Sequence, residues 1–163
     1  KAEKQNLLPL GFSITYRKNR PFPHTLHLVP KTVVLGIGCK RGTEAESIRA
    51  LIRETLEQNQ IFKESICLIA SIDLKKDEEG IRICAEELGV PFVTWSAEEL
   101  EQVRSEDGFT ESAFVRSVAG VGNVCERSAL KGAGTSRLLI RKTAHNGVTV
   151  AAAVKDYTVC MED

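Results

Sequence analysis

The chain has 163 residues, and its 22 lysines and arginines balance 22 aspartates and glutamates, so the formal net charge at pH 7 is zero. This length is typical of one domain that buries a sizeable core without disulfides or a structural metal. The balanced charge disfavours a nucleic-acid-binding function, which needs a basic excess or a basic face. We therefore expect no nucleic-acid partner.

The cysteines are widely spaced along the chain, at positions 39, 67, 84, 125 and 160. Their odd number and the lack of a Cys-x-x-Cys pair disfavour a disulfide framework or a zinc site. We expect free thiols in a reducing cytoplasm and no bound metal. The sequence has no signal-peptide pattern and no run of roughly 20 apolar residues, so no membrane segment is expected. The sequence begins with Lys1 and not with methionine, and we interpret it as a fragment of a longer protein.

The first thirty residues contain four of the five prolines. Proline removes a backbone donor and restricts the residue before it, which disfavours regular helices and central strands. We interpret residues 1–30 as the linker-like end of a preceding region, with short extended pieces. Residues 31–155 would form the compact domain, and residues 156–163 a tail.

From residue 31 the apolar pattern alternates between strands and helices. The segment "TVVLGI" is a continuous apolar run, typical of a strand buried on both faces. Apolar residues at helical spacing over positions 48–56 predict a helix, which Thr43 and Glu46 would begin as a capping box. The segment "SICLIASI" predicts a second strand.

The middle of the chain repeats this alternation. Asp77 is predicted to cap a second helix that ends at Gly89, and "PFVTW" is the third strand. Ser96 and Glu99 form another capping box. Two further short helices are predicted at residues 113–118 and 124–131, the second capped by Asn123 with Glu126 at capping-box spacing.

The chain is predicted to end in a β-hairpin, because "RLLIRK" and "GVTVAAAV" flank an Asn-Gly pair. Strand–helix alternation followed by a hairpin indicates the α/β class. We predict a three-layer sandwich with a mixed, mostly parallel sheet and an antiparallel hairpin at one edge.

Ligands of open parallel sheets bind beyond the carboxyl ends of the strands. Four segments should converge there: the glycine loop 38–43, residues 71–76, Ser96 and the cap at Asn123. Helix N-termini at this edge suit anionic ligands. The glycine loop matches neither nucleotide-binding template, since its spacing is G-x-G-x-x-x-G. An anion-binding turn and a purely structural turn both stay open, and Lys40 and Arg41 favour the first.

Each other candidate also has a structural explanation. Cys39 precedes a helix, which can lower a thiol pKa. However, the three histidines, His24, His27 and His145, lie in the linker-like region and the hairpin turn, and none offers a convincing general base. We therefore interpret Cys39 as a packing residue in a tight turn. Trp95 could line a pocket or pack in the core.

The charged and polar residues in segment 71–76 and at the Asn123 cap also have both a functional and a structural explanation. Asp73 and Lys75 follow the second strand, where side chains could point into the crevice, but a turn residue and a solvated charge explain them equally. Capping alone would explain Asn123 and Glu126.

Several ordered motifs resemble one family. The segments "LVPKTVVLGIGCKRGTEAES", "IASIDLKKDEEG", "LGVPFVTWSAEEL" and "GVGNVCERSAL" are similar to the C-terminal domain of the cobalamin-biosynthesis protein CbiG, which the stand-alone CobE proteins share. The resemblance runs from about Leu28 to Val154. The segment before Leu28 resembles the end of the middle region of CbiG, which favours CbiG over CobE.

The resemblance implies a role in building the corrin ring. CbiG acts in the anaerobic pathway on cobalt-precorrin-5A, opens the ring-A lactone and releases acetaldehyde. The implied partners are this cobalt-corrinoid intermediate, the preceding N-terminal CbiG domain and other pathway enzymes. Cobalt belongs to the substrate, so no separate cofactor is expected. The alternative is a non-catalytic tetrapyrrole-binding or carrier module like CobE, and a nucleotide-binding or phosphate-binding domain is disfavoured.

The family motifs also imply a set of site positions. They carry over Gly36, Gly38, Cys39, Arg41, Gly42, Asp73, Lys75, Asn123 and Glu126, and we add Lys40 and Thr43 from the same loop. Lactone hydrolysis needs an activated water and donors for the developing oxyanion. We expect Asp73 and Glu126 to act as bases, and Thr43, Asn123 and the amides of residues 38–42 as donors. Apolar surface near Trp95 or Val121 would face the macrocycle.

Overall fold

A computed structural model describes residues 9–109 and 122–160. Its main feature is a five-stranded sheet, in which continuous apolar runs form the central strands. In chain order the strands of the protein are β1 (Leu10–Ile14), β2 (His24–Leu28), β3 (Val33–Cys39), β4 (Ile66–Ile72), β5 (Phe92–Trp95), β6 (Leu138–His145) and β7 (Val148–Val154). The five-stranded sheet has the order β5-β4-β3-β7-β6.

Four of these five strands point in one direction. β3, β4 and β5 are parallel, whereas β7 is antiparallel to both β3 and β6. The β6–β7 turn contains Asn146 and Gly147 with φ of 48° and 75°, the left-handed conformation that an Asn-Gly hairpin needs. The mixed, mostly parallel sheet with a hairpin at one edge is therefore confirmed.

Helices cover both faces of this sheet. Within the described ranges they are α1 (Ala45–Gln58), α2 (Glu79–Leu88), α3 (Ala97–Glu101) and α4 (Val124–Ala133), and short 3-10 helices span Lys63–Ser65 and Asp73–Lys75. Alternate side chains of β3 point to opposite faces. Leu35 packs with α1 and α2 in one buried cluster, and Val34 packs with α4 in another. These two clusters make the predicted three layers.

The α4 helix lies very close to the sheet, because small residues separate the two. A Cβ atom on Gly36 would lie 1.8 Å from the carbonyl oxygen of Cys125, and one on Gly132 would lie 2.8 Å from Val34. The Ser128 hydroxyl donates to the Ala70 carbonyl at 3.3 Å, which joins the helix to β4. Gly36 therefore has a packing role in the middle layer.

Two of the predicted helix caps are wrong. The α1 helix begins after Glu44, which makes no side-chain capping bond, and the Thr43 hydroxyl donates instead to the Lys40 carbonyl at 2.6 Å. The N-cap of α2 is Glu78 rather than Asp77. In both places the local pattern is overridden by contacts between the β3–α1 and β4–α2 loops, described below.

The predicted helix starts after Ser96 and Asn123 and the predicted helix end at Gly89 are confirmed, whereas α4 extends to Ala133, two residues beyond its predicted end. Ser96 and Glu99 form the full capping box at α3, and the Asn123 side chain accepts from the Glu126 amide at the start of α4. Gly89 ends α2 with φ of 67°. The helix predicted at residues 113–118 lies outside the described residues.

Residues 9–30 contain two short strands, β1 and β2, in the region where short extended pieces were predicted. β1 and β2 pair in parallel as a separate two-stranded sheet. Tyr16 packs against the main core, and Arg17 forms a β-bridge with Ile61. The domain boundary at residue 31 stays a prediction. Within the two described ranges, none of the helices has the length and apolar character needed to cross a bilayer.

Candidate functional site

A cleft of about 430 Å³ lies at the carboxyl edge of the parallel strands. Its walls are the ends of β3 and β4, the start of α4 and the β6–β7 hairpin. The interior is mainly apolar, with Ile72, Leu74, Val124 and Val148 among its lining residues. This is where an open parallel sheet places its ligands.

The cleft brings together six of the eleven predicted site residues, namely Gly38, Cys39, Lys40, Arg41, Lys75 and Asn123. The other five do not line it, and these are Gly36, Gly42, Thr43, Asp73 and Glu126. Cavities of about 530 and 500 Å³ lie elsewhere on the protein and contain none of the predicted residues. The edge cleft is therefore the candidate site, although it is not the largest cavity.

Four cations among the described residues line this cleft and give it a positive rim. Lys75 lies 3.5 Å from the Glu78 carboxylate. Within the described part of the chain, Lys40, Arg41 and Lys142 form no ion pair. Their charges are thus available to an anionic ligand, and the apolar interior beneath them suits a ligand with an apolar body.

Glu78 fixes the position of the glycine loop. Its carboxylate accepts the Gly42 amide at 3.0 Å and also pairs with Lys75, so it joins the loop after β3 to the loop after β4. Gly42 has φ of 74°, a conformation that glycine adopts without strain. The Lys40 amide donates to the Gly147 carbonyl at 3.1 Å, which attaches the same loop to the hairpin. Gly42 and Thr43 therefore shape the loop from outside the cleft.

The thiols in the cleft are poor nucleophiles. Burial raises the pKa of Cys39, although the nearby Lys75 charge opposes this shift. Burial raises the pKa of the Cys125 thiol to about 12. Cys39 also packs against the main core, in agreement with its interpretation as a packing residue.

Glu126 is fully buried beneath the cleft. One carboxylate oxygen accepts the Lys142 amide at 2.9 Å, and the other accepts from the Asn123 side-chain nitrogen at 2.6 Å. The Asn123 side-chain oxygen accepts the Glu126 amide at 3.2 Å. Glu126 and Asn123 thus form a reciprocal pair that also holds strand β6.

Asp73 lies outside the cleft, on the exposed surface where β4 ends. Its carboxylate accepts the Thr94 hydroxyl at 2.7 Å, which joins the ends of β4 and β5. Trp95 does not line the cleft and packs instead between two buried clusters. Val121 lies outside the described residues.

The hairpin side of the cleft was missed from the sequence. Lys142, Ala144, Val148 and Thr149 line it, yet no motif marks them. The predicted hairpin alone does not locate them, because the hairpin tip reaches the edge of the glycine loop only through the parallel direction of β6 and β3.

Residues 33–153 match the model of a family described as "Cobalamin synthesis G C-terminus". The chain belongs to this family. It is 34% identical over 128 residues to a cobalt-precorrin-5A hydrolase of Priestia megaterium, covering 78% of the chain and 33% of that protein. It is 38% identical over 134 residues to the cobalt-precorrin-5A hydrolase of Salmonella typhimurium, covering 82% of the chain and 37% of that protein. The chain thus spans about a third of the length of these two relatives.

Solved structures of this family share the fold. The crystal structure of CobE, a protein of the cobalamin biosynthetic pathway, matches with a TM-score of 0.69 and 32% identity, covering 77% of this chain and 91% of that one. A cobalamin biosynthesis protein G homolog from Sulfolobus solfataricus matches with a TM-score of 0.61 and 27% identity, covering 89% of this chain and 44% of that one.

Proposed function

We propose that this chain is the C-terminal part of a cobalt-precorrin-5A hydrolase in cobalamin biosynthesis, and that its edge cleft binds the corrinoid substrate. The observation that carries the binding role is an apolar cleft whose rim holds Lys40, Arg41 and Lys142, all without an ion pair to a described residue. Identity of 34% and 38% to two such hydrolases over about four fifths of the chain supports the assignment.

The chemistry of the substrate fits this cleft. A corrinoid intermediate has a flat, largely apolar ring with acetate and propionate carboxylates around it. Cations bind carboxylates through short, charge-assisted hydrogen bonds. A volume of about 430 Å³ is near the lower end of the ~300–1,000 Å³ range of ligand pockets, so we expect the cleft to hold one edge of the macrocycle.

Lactone opening adds water across a carbon–oxygen bond. A base takes a proton from the attacking water, and donors stabilise the oxyanion that forms on the lactone carbonyl. Asp73, exposed where β4 ends, would be accessible to water, whereas Glu126 lies beneath the cleft floor. The roles of these two carboxylates as bases, and of Thr43, Asn123 and the amides of residues 38–42 as donors, stay predictions.

A second function is a non-catalytic corrinoid-binding module like CobE. One observation favours it: the described residues that line the cleft include no aspartate or glutamate. This chain also covers 91% of the CobE structure, so the same fold makes up nearly all of that cobalamin-pathway protein. On this alternative the domain binds the macrocycle, and the catalytic groups lie elsewhere in the longer protein.

Turnover by the full-length protein separates the two functions. Asp73→Asn and Glu126→Gln variants would be assayed for acetaldehyde released from cobalt-precorrin-5A. A large loss of kcat in either variant supports catalysis by this domain, provided that the variant still binds the substrate. Unchanged turnover in both variants contradicts it and leaves the binding function.

Binding is tested with the chain itself and cobyrinic acid, a stable cobalt corrinoid with free peripheral carboxylates, followed by absorbance. We expect saturable binding that weakens in Arg41→Met. The control is Arg82→Met, because Arg82 is exposed on α2 and does not line the cleft. Failure of the unaltered chain to bind would contradict a substrate site in this cleft.

A further inference from the structure

Strand β6 carries an irregularity where it passes the cleft. Ile140 pairs with Ala152 and Thr143 pairs with Val150, so β6 has one more residue than β7 between these two pairs. Such a β-bulge changes the direction of side chains and leaves a ladder position unpaired. Its two residues are Arg141, which is exposed and donates to the Asp107 carbonyl, and Lys142, which lines the cleft.

The buried Glu126 carboxylate replaces the ladder bond that this bulge disrupts. It accepts the Lys142 amide at 2.9 Å and the Asn123 side chain at 2.6 Å. Hydrogen bonds inside a protein are strong because the local dielectric is low. Glu126 therefore fixes the backbone of Lys142 relative to the start of α4, and both lie in the cleft wall.

The charge of Lys142 acts within the cleft. It opposes the rise in the pKa of the Cys125 thiol, as the charge of Lys75 does for Cys39. Both residues are part of the cleft wall. The two ammonium groups thus act on different parts of the cleft, one from the hairpin and one from the loop after β4.

We propose that Lys142 forms a carboxylate-binding subsite on the hairpin side of the cleft and that Glu126 positions it. This subsite binds one acetate or propionate carboxylate of the macrocycle, and a different one contacts Lys40 and Arg41 on the glycine-loop side. The inference rests on the proposed corrinoid-binding function and assigns a specific role to a cation that no sequence motif marks.

The test is the same absorbance titration of the chain with cobyrinic acid. We expect Lys142→Met to raise the Kd about tenfold, the effect of losing one charge-assisted hydrogen bond. The matched control is Arg141→Met, which removes the neighbouring cation on the other side of the bulge and should leave the Kd unchanged. With fully methyl-esterified cobyrinic acid, Lys142→Met should have no effect, because that ligand carries no carboxylates.

A double variant tests the positioning role of Glu126. If Glu126 acts through Lys142, Glu126→Gln weakens binding in the unaltered chain but adds no further loss in Lys142→Met. A further loss of similar size in that background would overturn the positioning role. Lys142→Met alone tests the subsite if Glu126→Gln does not fold.

The outcomes separate this inference from the proposed function. Weaker binding in Arg41→Met but not in Lys142→Met would leave the proposed function standing and overturn the subsite. An equal loss in Arg141→Met and Lys142→Met would overturn the subsite too, because the effect would then be one of overall charge. No binding by the unaltered chain would contradict both.

Discussion

A Cβ atom added to Gly36 would lie 1.8 Å from the carbonyl oxygen of Cys125, so the first turn of α4 rests directly on the backbone of β3. This contact brings the start of α4, with Asn123, to the edge where β3 ends. One glycine within the sheet therefore sets the position of a cleft wall.

Gly36→Ala should lower the free energy of unfolding by about 3 kcal/mol, because the new methyl group meets backbone that cannot rotate away. Urea unfolding measures this change. The control is Gly134→Ala, at the end of α4, where φ is 67° and no atom lies within 4 Å of the added Cβ. Only the cost of the left-handed conformation applies there, roughly 1–2 kcal/mol. Equal losses in the two variants would contradict the close-packing argument.

The helix caps give a second contrast. Asn123→Ala should destabilise the protein by roughly 2–3 kcal/mol, because it removes a capping bond and places alanine at φ of 53°. Asp77→Ala should change stability by less than about 0.5 kcal/mol, because Asp77 is exposed and Glu78 is the N-cap. Thermal unfolding of both variants measures this, and a large effect of Asp77→Ala would contradict the observed start of α2.

The reactivity of Cys39 is predicted from its surroundings. Its pKa lies above 9.0, mainly through burial, so alkylation of Cys39 should become fast only in alkaline solution. Lys75→Met should raise this pKa further, because the Lys75 charge stabilises the thiolate. Glu78→Gln should lower it, since the Glu78 charge has the opposite effect. Alkylation rates against pH, read by mass spectrometry of the Cys39 peptide, test both signs, and the exposed Cys160 is the internal reference.

Cys125 should make the protein less stable in alkaline solution. Its thiol has a pKa of about 12 when folded and 9.0 as the reference value, so the folded state keeps a proton that the unfolded state loses. The contribution of the Cys125 thiol to the free energy of unfolding is fully present below pH 9 and is lost as the pH rises from about 9 towards 12. Between pH 9 and 11 the free energy of unfolding should therefore fall less steeply in Cys125→Ala than in the unaltered chain. Parallel slopes in urea unfolding would contradict this.

Much of the fold could be predicted because its signals are local. The apolar run of β3 and the Asn146–Gly147 turn each report their own conformation without reference to distant residues. The caps at Thr43 and Asp77 failed for the opposite reason. Gly42 donates to Glu78, 36 residues away, and this contact between loops decides how α1 and α2 begin.

The residues of the candidate site also divide into those with a local sequence signal and those that depend on contacts between distant residues. The glycine loop and Lys75 follow strands whose ends the sequence predicts, so their place at the cleft could be expected. Lys142 depends on a bulge in β6, and nothing in the segment "RLLIRK" marks an extra residue. The sequence places Glu126 at a helix start. Its bond to the Lys142 amide could not be predicted, because it joins α4 to β6, the next strand along the chain.

The antiparallel strand β7 gives the cleft two kinds of wall. The loops after β3 and β4 lead into helices that are anchored in the core, so a change in their length would disturb the packing of a whole layer. The β6–β7 hairpin joins two strands instead of leading into a helix, and the bond from the Lys40 amide to the Gly147 carbonyl attaches its tip to the glycine loop. The core therefore holds the two walls that lead into helices, whereas a contact between two turns holds the hairpin wall.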